Sequence, residues 1–202
     1  MIASEAFNQA KIYDHLYKII CTESFLKMTS LGNEIPFYIL PFEPRFQKKV
    51  DEIVEQLVKS LAQAGITVLQ IDLYRLMIEI LEREGDLDYY LAREPEISKS
   101  ELLDDLQGIL DVKSVLVPAI AETMNANDFD VLFLTGVGAS FPLLRSHNVL
   151  NNLQSTAKDR PTLMFFPGEY SHSLEKGASL DLFGLLHDDK YYRAFNILHR
   201  QA

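Results

Sequence analysis

The sequence predicts an α/β domain: a three-layer sandwich on a mostly parallel sheet of about four to five strands, Rossmann-like, with a helix at the N-terminus. Two observations carry this. Short, largely apolar runs recur at residues 36–41, 66–71, 131–134 and 162–166. Strands covered on both faces read this way, whereas half-solvated strands alternate. The intervening segments space their apolar residues at helical intervals, and strands alternating with helices build covered parallel sheets. A chain of 202 residues is expected to fold as a single domain, 1–202, burying roughly 70% of its unfolded surface.

Each element has its own signal. Residues 1–30 form an N-terminal helical segment packed on the domain, since Ile12, Leu16, Ile19 and Ile20 share one helix face. Gly32 and Asn33 signal a turn before the first strand, which two prolines bound. Phe46, Val50, Ile53, Val54, Leu57, Val58 and Leu61 trace the next helix, ended by Gly65. The β-branched run at 66–71 follows, then a helix over 72–84 stopped at Gly85. Residues 86–99 are polar, contain Pro95, and read as a connection. Ser98 or Ser100 caps a further helix that turns Leu102, Leu103, Leu106, Ile109 and Leu110 inward. Pro118 marks a kink or a fresh start. After the strand at 131–134, a helix is expected to open near Ser140 and Pro142. The fourth strand is expected to close at Pro167 and Gly168, with 169–178 as loop, 180–186 as a short strand or turn, and 190–200 as a last helix.

Composition bounds the function. The chain is 48% hydrophobic and 24% charged, ordinary for a soluble globular protein. Its one cysteine, Cys21, permits no internal disulfide and no thiolate metal site, which suits a reducing cytosol. The first residues are polar and mixed in charge, so no secretory signal is expected. No apolar run nears the ~20 residues of a membrane helix. A cytoplasmic protein without membrane contact is therefore expected. The net charge of −10 repels nucleic acid at long range. Arg45, Lys48 and Lys49, and Lys190, Arg193 and Arg200, read as solvated helix faces. Direct nucleic-acid binding is disfavoured, and an acidic surface suits solubility or a basic protein partner.

Residues 130–154 hold the densest functional signal. Gly136, Val137, Gly138, Ala139 and Ser140 stand between a strand and a helix, where an open parallel sheet holds its ligands. Backbone N–H groups in such a turn, with a helix N-terminus behind them, attract an anion. The P-loop pattern is missing, and Phe141 stands where a dinucleotide motif needs its third glycine. A tight turn with positive φ accounts for the glycines equally well. Further on, Arg145, Asn148 and Asn152 fall along one helix face, with His147 and Asn151 beside them. One arginine among amides suits either a partner backbone or a structural network. His147 has no marked nucleophile beside it, so catalysis is not expected.

Glu169 and Tyr170 leave the fourth strand at the same sheet edge and are expected to face Gly138, joined by Asp72. Asp72, Glu169 and Asp181 lack metal-ligand spacing, and His15, His172, His187 and His199 are scattered. Neither a metal nor a cofactor is expected. Tyr191, Tyr192 and Phe195 read as a packing stripe.

Four blocks together resemble a known family: FLTGVGASFPLLRSHNVLNNL at 133–153, PTLMFFPGEY at 161–170, LDLFGLL at 180–186 and YYRAF at 191–195. In order and spacing they are similar to the BrxB family of BREX phage-defence systems. The resemblance covers roughly the last seventy-five residues, the first 120 agreeing only in general α/β character. It implies a small cytoplasmic component of a multi-protein prokaryotic system that methylates host DNA and blocks unmarked phage. Other components of such systems carry the recognisable activities: a methyltransferase, an ATPase and an alkaline-phosphatase-like protein of the PglZ type. It implies no catalytic residues. The expected function is thus a non-catalytic accessory or scaffold protein docking on other BREX proteins, the PglZ-type protein first among them. The alternative is a degenerate nucleotide- or phosphate-binding regulatory domain that uses Gly136 to Ser140.

Overall fold

The computed structural model describes residues 7–29, 36–153, 156–173, 177–184 and 194–201, without the side chains of residues 147, 171–173, 177 and 178. Helix α1 (Gln9–Ile20) starts where the Asn8 side chain accepts the Lys11 N–H, and it buries Ile12, Leu16, Ile19 and Ile20 as their spacing requires. The short helix α2 (Glu23–Leu26) is capped by Thr22 and buries Phe25. Strand β1 (Phe37–Phe42) is buried at every position. Helix α3 (Gln47–Gln63) buries Val50, Ile53, Val54, Leu57 and Leu61, and Gly65 beyond it takes φ +78.

Strand β2 (Val68–Asp72) leads into α4 (Leu73–Glu84), which ends on the left-handed Gly85. Helices α5 (Asp86–Arg93) and α6 (Lys99–Ile109) follow, the latter capped by Ser98. A π-helical stretch, Val112–Leu116, runs into α7 (Val117–Ala126), where Pro118 occupies the first turn. Pro118 thus stands where the helical run passes from π to α, in the first turn of α7, which needs no N–H from proline. Then come β3 (Val131–Thr135), α8 (Ser146–Leu153), β4 (Thr162–Ser173), β5 (Gly177–Leu182) and β6 (Phe195–Asn196), with a 3-10 turn at Ile197–His199.

Among the described residues the sheet has six strands in the order β2-β3-β4-β1-β6, with β5 paired to β4. All pairs are parallel except β4 with β5. Side-chain alternation divides the interior into two cores. Phe37, Ile39, Leu132, Leu134, Met164 and Phe166 point to one, under α4, α7 and α8. Tyr38, Leu40, Phe42, Val131, Phe133, Leu163 and Phe165 point to the other, under α1 and α3. The expected doubly covered, mostly parallel sheet is what forms. At the C-terminal end, Arg200 donates to the Tyr38 hydroxyl at 2.9 Å and lies over the rings of Phe25 and Tyr38.

Four expectations need correction. Residues 86–93 are helix, not connection: Leu87, Tyr90 and Leu91 hold i, i+3, i+4 spacing, and Asp86 and Asp88 favour the positive N-terminus. The helix expected near Ser140 and Pro142 begins at Ser146, after turns that include a cis Phe141–Pro142 bond. Strand β4 does not close at Pro167 and Gly168 but continues, pairing with β5 over 168–173 where a loop was expected. Pro167 lies where pairing passes from β1 to β5, a place where a residue without N–H is tolerated. At the end of the chain, Phe195 and Asn196 form a strand rather than part of a helix, since Tyr38 and Ile39 of β1 offer them a free edge. Residues 185–193, with His187, Lys190, Tyr191, Tyr192 and Arg193, lie outside the described residues, as do Gly32 and Asn33.

Candidate functional site at the carboxyl edge of the sheet

The parallel register brings Asp72 beside Thr135 and Phe42 beside Pro167, so the strands end together on one edge. Asp72 caps α4, its Oδ1 accepting the Arg75 N–H at 3.0 Å. The Thr135 hydroxyl donates to Asp72 Oδ2 at 3.3 Å, and the Gln70 amide donates to Thr135 Oγ1 at 3.4 Å. One carboxylate thereby starts a helix and ties β2 to β3. Gly136 follows with φ +72, and a Cβ built there would lie 2.3 Å from Asp72 Oδ1. Glycine is required twice over, by conformation and by space.

The positive φ is at Gly136 and not at Gly138. Gly138 is instead a close approach: its Cβ position lies 2.9 Å from Pro167 Cγ and 3.4 Å from Phe183 Cε1. Phe141 meets Phe183 edge-on, with ring centroids 5.9 Å apart. The space outside this part of the edge is thus occupied by a proline and two phenylalanines from the chain itself. Ser140 is buried. Its N–H donates to Gly136 O at 3.0 Å and its hydroxyl to Val137 O at 2.8 Å, while the Phe141 N–H donates to Gly138 O at 3.4 Å. These donors fold the turn on itself. The Gln107 amide on α6 holds the Pro142 carbonyl at 2.9 Å.

Arg145 is exposed and precedes α8, its carbonyl accepting the Asn148 and Val149 N–H groups. Within α8 the Asn152 amide donates to Asn148 O at 2.7 Å, and Asn151 is exposed. The side chain of His147 lies outside the described residues. Gly136, Gly138, Ser140 and Asp72 therefore share one turn, but Glu169 and Tyr170 do not join it as a pair. Successive residues of a strand face opposite ways. Glu169 is exposed, whereas Tyr170 is buried and its hydroxyl donates to Ala194 O at 2.5 Å. Burial pushes the Tyr170 phenol up to about 12. Asp181 sits on β5, accepting the Ser179 hydroxyl at 3.0 Å. Among the described residues, no three of His, Cys, Asp and Glu come together as metal ligands would.

Sequence reading missed Pro167, Phe141 and Phe183, which come together only through tertiary contact. It also missed the helical character of α5, for which the signal was present in DLDYYLAR.

Fold and edge together define an α/β domain with a doubly covered parallel sheet, whose carboxyl edge is packed by its own side chains. The model of the family "BREX protein BrxB" matches residues 69–197, and the chain belongs to that family, a component of BREX systems. It is 36% identical over 191 residues to the BREX protein BrxB of Bacillus cereus (strain H3081.97), covering 93% of this chain and 96% of that one. It is 28% identical over 176 residues to the BREX protein BrxB of Escherichia coli O9:H4 (strain HS), covering 87% and 84%. The likeness thus reaches well beyond the four blocks near the C-terminus. No solved structure matches the chain. No helix among the described residues is long and apolar enough to cross a membrane.

Proposed function

We propose that the chain is a non-catalytic accessory protein of its BREX system, working as a scaffold through protein–protein contacts that support host methylation and phage restriction. The single observation that carries this reading is the filling of the carboxyl edge. Where open parallel sheets hold ligands, Pro167, Phe141 and Phe183 pack around Gly138. The turn's Ser140 and Phe141 donors serve its own carbonyls. Other BREX proteins are the partners, the PglZ-type protein foremost, and the cytoplasm is the place of action. Arg145, Asn148, Asn152 and Glu169 are surface candidates for such contacts, with Gly136, Gly138, Ser140 and Tyr170 holding the turn and hairpin behind them.

The test is affinity capture of the tagged chain from cells expressing the whole defence operon. Recovery of the PglZ-type protein in near-equal amount is expected; recovery of no other operon protein overturns the reading. Arg145→Ala separates surface from support. Lost defence with unchanged melting temperature marks a contact residue, and a lowered melting temperature marks a structural one.

A further inference from the structure

The strongest feature outside the carboxyl edge is the helical pair α5–α6. None of residues 82–109 is buried, although the stretch contains Leu87, Tyr89, Tyr90, Leu91, Ile97, Leu102, Leu103, Leu106 and Ile109. Only Leu87, Leu106 and Ile109 pack against the core. Leu91 is 58% exposed and Tyr89 49%, and they supply two of the three large hydrophobics left open among the described residues. Helices in water keep their apolar side covered as a rule. Here it stays open.

Side-chain contacts tie this surface together. The Tyr90 hydroxyl donates to Asp105 Oδ2 at 3.4 Å, tying α5 to α6. Arg93 lies 5.2 Å from the centroid of the Tyr89 ring and donates to the Tyr89 hydroxyl, which fixes that ring at the surface. Rigid aromatic side chains of this kind serve as anchors at interfaces. The surroundings are acidic. Between Glu82 and Asp111 stand ten Asp and Glu against three Lys and Arg, a net of −7 within a chain of −10.

We infer that the α5–α6 face docks a lysine- and arginine-rich segment of another protein, with apolar side chains of that segment packed against Leu91, which Asp88 and Glu94 flank at i−3 and i+3, and against Tyr89 further round the helix. This rests on the reading of the chain as an interaction protein and says which surface acts and what chemistry it meets. Charge decides among occupants: a second copy would bring −7 against −7, and nucleic acid or an anionic membrane would be repelled in the same way. A basic segment satisfies both the carboxylates and the apolar anchors.

The experiment uses the full-length tagged chain co-expressed with the other proteins of its operon. Captured complexes are treated with a carbodiimide, which joins carboxylates to lysine amines in contact, and the cross-links are mapped. Cross-links from Asp88, Glu94, Glu101 or Asp104 to partner lysines are expected. A variant combining Glu94→Lys, Glu101→Lys and Asp104→Lys should lose at least ~10-fold in retained partner, and Leu91→Ser a smaller factor, with melting temperatures kept. If the wild-type chain retains no operon protein, the accessory reading falls and this proposal with it. If a partner is retained equally by the charge-reversed variant, with cross-links confined to other surfaces, this proposal alone is overturned.

Discussion

At the scale of single residues, two glycines of one turn are needed for different reasons, and substitutions should separate them. Gly136→Ala must adopt φ +72 and drive its Cβ into the Asp72 carboxylate. Backbone strain of ~1–2 kcal/mol adds to the loss of a helix cap worth ~1 kcal/mol. Chemical denaturation should show a loss of roughly 2–3 kcal/mol by the sum of these terms. Gly138→Val is free of the φ constraint but crowds Pro167 and Phe183, an overpacking effect of about 1–3 kcal/mol. Tyr170→Phe removes the bond to Ala194 O and should lower stability by ~1 kcal/mol at neutral pH. Its pH signature follows from the raised phenol. Stability that depends on Tyr170 is complete below about 10, the usual tyrosine value, and is lost as pH rises through about 12. The parent should therefore weaken over that window more than Tyr170→Phe does, as followed by urea titrations at graded pH.

At the scale of elements, Asp72 is the joint between β2, β3 and α4. It caps the helix and receives the Thr135 hydroxyl from the neighbouring strand. Asp72→Ala should cost ~1–2 kcal/mol from the cap and the buried partner it deserts. Because a Cβ at position 136 meets the same carboxylate, Asp72→Ala and Gly136→Ala share a cause. Their double variant should lose less than the two single losses added together, by 0.5 kcal/mol or more on the order of known contact pairs. Simple additivity would show that Asp72 is not what crowds position 136. The helix α5 shows the converse case, an element whose local pattern is sufficient. Leu87, Tyr90 and Leu91 with acids in the first turn make a helix although scarcely any of it is packed inward.

At the scale of the whole molecule, net charge and its placement govern association. A net charge of −10 opposes the approach of nucleic acid, whose non-specific binding depends on counterion release by Lys and Arg. Anisotropy of a fluorescent duplex should stay flat up to roughly 10 μM protein at physiological salt, beyond the tighter end of ordinary non-specific affinities. A rise that collapses steeply with added salt would reverse this expectation. A net of −7 lies between Glu82 and Asp111, in and around one helical pair, so partner binding through it should weaken as salt is raised, whereas binding through the uncharged turn at Gly138 should not.

Much of this architecture was legible in the chain before any coordinates. Runs such as 131–134, apolar at every position, read as strands covered twice, and Ile12, Leu16 and Ile19 read as the buried side of a helix. Gly65, Gly85 and Ser98 mark ends because backbone conformation and capping are local properties. The four C-terminal blocks likewise carried the family. What tertiary structure alone decided lies at the carboxyl edge. Pro167 and Gly168 read as a stop, yet β5 arrives as a new partner and β4 continues. Ser140 and Pro142 read as a helix start, yet the turn folds on its own carbonyls and α8 waits until Ser146. Periodicity and caps report what one segment prefers. Which side chain fills the space above Gly138, or whether a strand finds another edge, depends on segments distant in sequence that meet only when the sheet has formed.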